Sequence, residues 1–119
     1  MYAVVNRMKF KGSFTEAANE AEAELMAILY RSPGFLWRYN VDAGDGVGVG
    51  ITIFESAEHW AAAVPVITDW VVKNIYPLFE TEPMMTAGEV ILSAGVKLPA
   101  LLQTTPVGGE ELSRQGGSA

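Results

Sequence analysis

The chain has 119 residues, half of them hydrophobic, with a net charge of −6, one histidine and no cysteine. That length suits a single domain burying about two-thirds of its unfolded surface. Without cysteine there are no disulfides, thiolate nucleophiles or Cys-based metal sites, and one histidine with an acidic balance argues against multi-His metal centres and nucleic-acid binding.

A mean hydropathy of +0.20 is high for a domain this small, and a buried subunit interface is the usual outlet for such an excess. The longest apolar run, Trp60 to Ile67, contains Pro65 and falls far short of the roughly 20 residues a membrane span needs. The first residues alternate like a strand and lack the charged and apolar regions of a signal peptide. The expectation is a soluble, cytoplasmic chain without membrane contact. No phosphate-binding loop or G-x-S-x-G elbow occurs; Gly46, Gly48 and Gly50 are spaced by two inside a Val/Ile alternation and read as strand.

Tyr2 to Phe10 is rich in β-branched and aromatic residues and reads as the first strand, with Tyr2, Val4, Asn6, Met8 and Phe10 on one face and Val5, Arg7, Lys9 and Lys11 on the other. Ser13 and Glu16 form a capping box. From there Phe14, Ala17, Ala18, Ala21, Leu25, Ile28 and Leu29 trace the stripe of an amphipathic helix, with Glu16, Glu20 and Glu24 opposite, and Pro33-Gly34 ends it. Phe35–Val41 and Val47–Phe54 pair as a hairpin around an Asp42–Gly46 turn. Ser56 caps a second helix whose buried stripe runs Trp60, Val64, Ile67, Val71, Ile75 and Leu78. Pro65 is expected to break or kink it, and Pro77 and Pro83 to end it. Gly88–Val96 is expected as the last strand. Beyond Lys97, Leu98–Gln103 reads as a short helical turn and Gly108–Ala119 as a mobile tail. The predicted order, β-α-β-β-α-β, is the ferredoxin-like α+β plan over residues 1–96, followed by a partly flexible C-terminal extension over 97–119.

Met-Tyr-Ala-Val-Val at the start, Ser-Pro-Gly-Phe before the hairpin, Asp-Ala-Gly-Asp-Gly in its turn, Ile-Phe-Glu-Ser before the second helix, Asp-Trp-Val within it and Thr-Ala-Gly-Glu-Val near the last strand together resemble the dimeric α+β barrel superfamily. The branch they resemble is that of the antibiotic-biosynthesis-monooxygenase-like proteins, many of them without an assigned activity. The resemblance implies a homodimer whose two four-stranded sheets close into a barrel, with a ligand pocket in each subunit between the sheet and its own helices. It also implies cofactor-independent oxygenase chemistry on an electron-rich aromatic or polyketide-like molecule. The alternative is a non-catalytic domain that holds a small apolar ligand or stabilises a partner.

Seven residues are candidates for the site. Asn6 is a polar amide amid an apolar strand face and must satisfy its hydrogen bonds; it bonds a neighbouring helix, faces a dimer seam, or serves the pocket as a strand asparagine does in relatives that pair it with a helix tryptophan. Trp60 stands near that tryptophan's position, which a gapless alignment places at Ala63. Trp60, Trp70 and Tyr76 either pack a core or wall an aromatic cavity. His59 is the one imidazole base available to catalysis, or else a solvated residue of a helix's first turn. Arg38 and Tyr39 point to opposite strand faces and are candidates for substrate binding; Arg38 steadies an enolate or phenolate, or pairs with a helix glutamate. The stretch Asp69–Asn74, where haem-degrading relatives carry an iron-binding histidine, has none, so neither cofactor nor metal is expected. Gly48 and Gly50 leave space on one strand face, for a ligand or for Trp37 or Tyr39 packed close.

Overall fold

The computed structural model describes residues 1–95. Its elements are β1 (Tyr2–Lys9), α1 (Phe14–Arg31), β2 (Phe35–Gly44), β3 (Val47–Phe54), α2 (Ala57–Asn74), a single 3₁₀ turn (Tyr76–Leu78) and β4 (Met84–Glu89). The strands lie in the order β2-β3-β1-β4, every pair antiparallel. This is the ferredoxin-like α+β plan read from the sequence. The predicted helical turn at 98–103 and the tail at 108–119 lie outside the described residues.

Both helix starts follow from their caps. The Ser13 hydroxyl accepts the Glu16 N–H at 3.2 Å, and the Ser56 hydroxyl accepts the His59 N–H at 3.1 Å, which satisfies donors a helix N-terminus leaves free. α1 ends at Arg31, where Ser32 closes the last turn with its N–H on Leu29. Of the two expected effects of Pro65, a break does not occur; α2 runs through it. Ala61, whose carbonyl loses its partner, and Pro65 are both exposed, so water replaces the missing bond.

The hairpin is tighter than its sequence implied. The strands continue past Asp42 to a two-residue turn, Asp45-Gly46, with φ of 56° and 79°. Positive φ at both positions is the turn that matches strand twist, and Asp-Gly is a preferred pair for it. The last strand also differs: it is Met84–Glu89 rather than Gly88–Val96. Two contacts bring the chain back to β1 early, a Phe10–Phe79 bridge and a 2.7 Å bond from the Glu80 N–H to the Lys9 carbonyl. Pairing then starts directly after Pro83, with Arg7 opposite Met84 and Tyr2 opposite Glu89.

Along β3, Gly48, Gly50, Thr52 and Phe54 are buried while Val47, Val49, Ile51 and Ile53 between them are half-buried. One sheet face therefore carries both helices and the other stands open. The core centres on Leu29, Phe54 and Ala63, with Leu25, Met26, Phe35, Trp60 and Ile67 around it. The open face is apolar: β3 register sets Val5, Tyr39, Ile51, Trp37 and Ile53 side by side. No described helix is long and apolar enough to cross a membrane.

Candidate functional site

The buried stripe of α1 is uneven. Its second half presents Leu25, Ile28 and Leu29, bulky side chains that reach the core; after Phe14, its first half presents only Ala17, Ala18 and Ala21. A helix faced with alanines cannot fill the gap an ordinary core leaves, and a cavity of about 370 Å³ opens there between the sheet and the two helices. Phe10, Phe14, Trp60, Trp70, Tyr76 and Phe79 supply aromatic surface to it. This is the size and make-up of a small-molecule pocket.

The floor is polar at one place, and strand register explains why. Gly50 lies opposite Asn6 on one side and Asn40 on the other, so three neighbouring strands present Asn6, an empty position and Asn40. The Arg38 guanidinium occupies that empty position: a Cβ on Gly50 would come within 2.8 Å of Arg38 Nη2. A Cβ on Gly48 would collide with the Phe14 ring. The room left by the two glycines is thus taken by Arg38 and by α1, and not by Trp37 or Tyr39, which lie on the open face.

Arg38 donates from Nη1 to Thr52 Oγ1 at 2.7 Å, and its Nε is buried without a partner. Burial lowers its pKa, opposed by the nearby charge of Glu22. No ion pair among the described residues includes Arg38; Glu22 instead accepts from Asn40 Nδ2 at 3.2 Å. The helix glutamate expected as Arg38's partner is therefore present but held by another residue. Glu22 and Arg38 are the two charged residues lining the cavity. Asn6 lines it too and joins none of the side-chain hydrogen bonds among the described residues, which leaves its amide free for a ligand.

Trp60, Trp70 and Tyr76 all reach the cavity. Trp60 also packs on Phe54, with ring centroids 5.6 Å apart; Ala63, the position the gapless alignment indicated, is part of the solid core. Trp70 Nε1 donates to Glu24 at 2.9 Å and ties α2 to α1. The Tyr76 hydroxyl donates to Glu82 at 2.7 Å, which raises its pKa.

His59 and Tyr39 are not brought to the site. His59 sits in the first turn of α2, its Nδ1 2.7 Å from the Ser56 hydroxyl and its ring so close over Gly34 that a Cβ there would overlap it. It shapes the joint between α1 and β2 and is not among the residues lining the cavity, so the cavity holds no imidazole base. Tyr39 points from β2 to the open sheet face and is 54% exposed. Glu22, Asn40 and Thr52 were missed from sequence. One signal existed for Glu22: it follows Ala18 by four and precedes Leu25 by three, on the apolar stripe rather than on the face of Glu16, Glu20 and Glu24.

No family model matches the sequence, and no curated protein matches it. Solved structures do. SnoaB, a cofactor-independent oxygenase from Streptomyces nogalater, aligns with a TM-score of 0.65 at 18% identity, over 77% of this chain and 94% of that one. The fold is that of antibiotic-biosynthesis monooxygenases. A second protein of this fold, a monooxygenase from the ActVA-Orf6 gene of Streptomyces coelicolor in complex with nanaomycin D, aligns with a TM-score of 0.61 at 17% identity, over 77% and 92% of the two chains. A third, the NE2512 protein of unknown function from Nitrosomonas europaea, aligns with a TM-score of 0.67 at 18% identity, over 83% and 94%. The monooxygenase fold is shared across all three; at these identities it carries the architecture and leaves the chemistry to the site.

Proposed function

We propose that this protein is a cofactor-independent monooxygenase acting on a flat, electron-rich aromatic or polyketide-like molecule. One observation carries the reading: a largely buried guanidinium, in no ion pair among the described residues, on the floor of a mostly apolar cavity. In such chemistry the ionised substrate is itself the reductant of oxygen. The protein's task is to hold that anion away from water and to stabilise its oxygen with fixed donors. Arg38 supplies charge, Asn6 an amide, and Trp60, Trp70 and Tyr76 the flat walls. Two of the solved relatives sharing the fold are oxygenases, which supports the same reading. The non-catalytic alternative calls for an apolar pocket without converging donors, and the cluster around Gly50 speaks against it.

The working form we infer is a homodimer, the open sheet faces of two copies closing on each other. The half-buried Val5, Val49, Ile51 and Ile53 form the contact, and the cavity lies on the opposite side of the sheet.

Oxygen uptake across a panel of phenols, hydroquinones and 1,3-dicarbonyls tests the activity. Consumption that needs the protein and falls at least about tenfold in Arg38→Met supports it. Bound substrates that never consume oxygen, across a broad panel, would overturn it.

A further inference from the structure

We propose that the cavity selects ligands that enter neutral and ionise on binding: an acidic enol or phenol hands its proton to Glu22 and stays as an oxyanion on Arg38. The proposal rests on the cavity being a small-molecule site and deepens that reading by naming the ligand's acid–base class and its proton acceptor.

Arg38 and Asn40 are two residues apart on the same face of β2, about 7 Å along the strand, and Asn40 holds the Glu22 carboxylate. Acid and base thus lie along one short stretch of the floor without bonding each other. The guanidinium has its Nη1 on Thr52, and its Nη2 takes part in none of the side-chain hydrogen bonds among the described residues, so a donor remains for an oxygen. Glu22 accepts one hydrogen bond, from Asn40, and keeps lone pairs for a proton.

Charge then decides between ligand classes. The two charged lining residues cancel, and everything else around them is apolar or neutral. A neutral enol or phenol leaves that balance intact: its O–H bond breaks, the proton joins a Glu22 oxygen, and the electron pair stays on the ligand oxygen beside Arg38. The negative charge passes from Glu22 to the ligand oxygen beside Arg38, and no net charge is added to the cavity. A carboxylate arrives already charged and leaves the cavity one negative charge in excess, facing Glu22. The same residues that welcome a phenol therefore reject a carboxylate of the same shape.

The test uses the full chain without oxygen, titrated with 4-nitrophenol at a pH where it is colourless in solution, and with 4-nitrobenzoate. Both probes are electron-poor, so binding is separated from turnover. Expected are the yellow of the bound phenolate, no net proton exchange by calorimetry in two buffers of different ionisation heat, and nitrobenzoate at least about tenfold weaker. In Glu22→Gln the phenol either stays colourless or releases a proton to the buffer, and nitrobenzoate gains about tenfold. In Arg38→Met the yellow disappears. A colourless bound phenol in the unaltered protein, or nitrobenzoate binding as well as the phenol, overturns the proposal whatever the variants do. Binding of neither probe overturns the small-molecule site itself, whereas the predicted pattern without oxygen uptake from any substrate removes only the oxygenase reading.

Discussion

Asn6 is the residue whose place in the fold separates its roles most sharply. Its side chain looks into the cavity from the centre of β1, and no described group bonds it. An amide kept for a ligand contributes little to the empty protein, so Asn6→Ala should leave thermal stability within about 0.5 kcal/mol of the unaltered chain. The same change should weaken a bound enol or phenol about tenfold, the worth of one hydrogen bond to a charged partner. Melting curves and titrations on one preparation read both, and a large stability loss with unchanged affinity would make Asn6 structural. His59 predicts the reverse. Its ring braces Gly34 and the Ser56 cap, so His59→Ala should lower the melting temperature and leave affinity and its pH profile unaltered. A lost ionisation in the rate profile would return it to the chemistry.

At the scale of elements, α1 builds the site by what it omits. Ala21 and Leu25, one turn apart, both line the cavity, but only the larger Leu25 also packs against the core. Ala21→Leu should carry the close packing one turn further, raising the melting temperature while excluding ligand; in an ordinary filled core the same change destabilises through overpacking. A lower melting temperature with ligand still bound would show that the space is not there. A second element-scale prediction concerns the tie between α1 and the hairpin. The Asp42 carboxylate accepts from the Thr15 hydroxyl and from the Gly44 N–H, and these bonds lower its pKa. A carboxylate with a depressed folded pKa stabilises above its unfolded pKa and loses that contribution as pH falls through the folded value. Asp42→Asn should therefore melt lower than the unaltered chain at neutral pH and converge with it in acid, below both pKa values. Equal separation at every pH would remove the carboxylate's charge from the account.

How much of this was legible follows from the same particulars. Caps, stripes and alternation are local signals, and Ser13, Ser56, the face of β1 and the element order could all be read from them. Register is not local. The displacement of β4 from Gly88–Val96 to Met84–Glu89 is set by Phe79 and Glu80 meeting Phe10 and Lys9, a pairing across the molecule. The site suffered in the same way. Asn6 and Arg38 were visible as polar residues in strands, but Gly50 as the seat of a guanidinium, and Asn40 as the holder of Glu22, depend on which strands lie side by side.

The largest scale turns on the sheet face that carries no helix. Val5, Val47, Val49, Ile51 and Ile53 are half-buried there, with Val41 45% exposed and Tyr39 54%. Completing the burial of a half-covered Val or Ile gains on the order of 1 kcal/mol. Ten such side chains from two copies already fall within the roughly 4–15 kcal/mol that association costs, and Trp37, Tyr39 and Val41 from each copy add to the favourable side. A second copy of the same face supplies matching apolar surface by two-fold symmetry, with the charged Arg7 and Lys9 gathered toward the hairpin end. Ile51→Asp places a carboxylate in the middle of that face, where pairing would bury it without a partner. The variant should sediment as a monomer at micromolar concentration while the unaltered chain sediments as a dimer. Because Ile51 points away from the helices, the variant's cavity should still bind the ligands of the unaltered protein. An unaltered chain that sediments as a folded monomer would remove the barrel, yet leave Arg38 and its cavity untouched on the other side of the sheet.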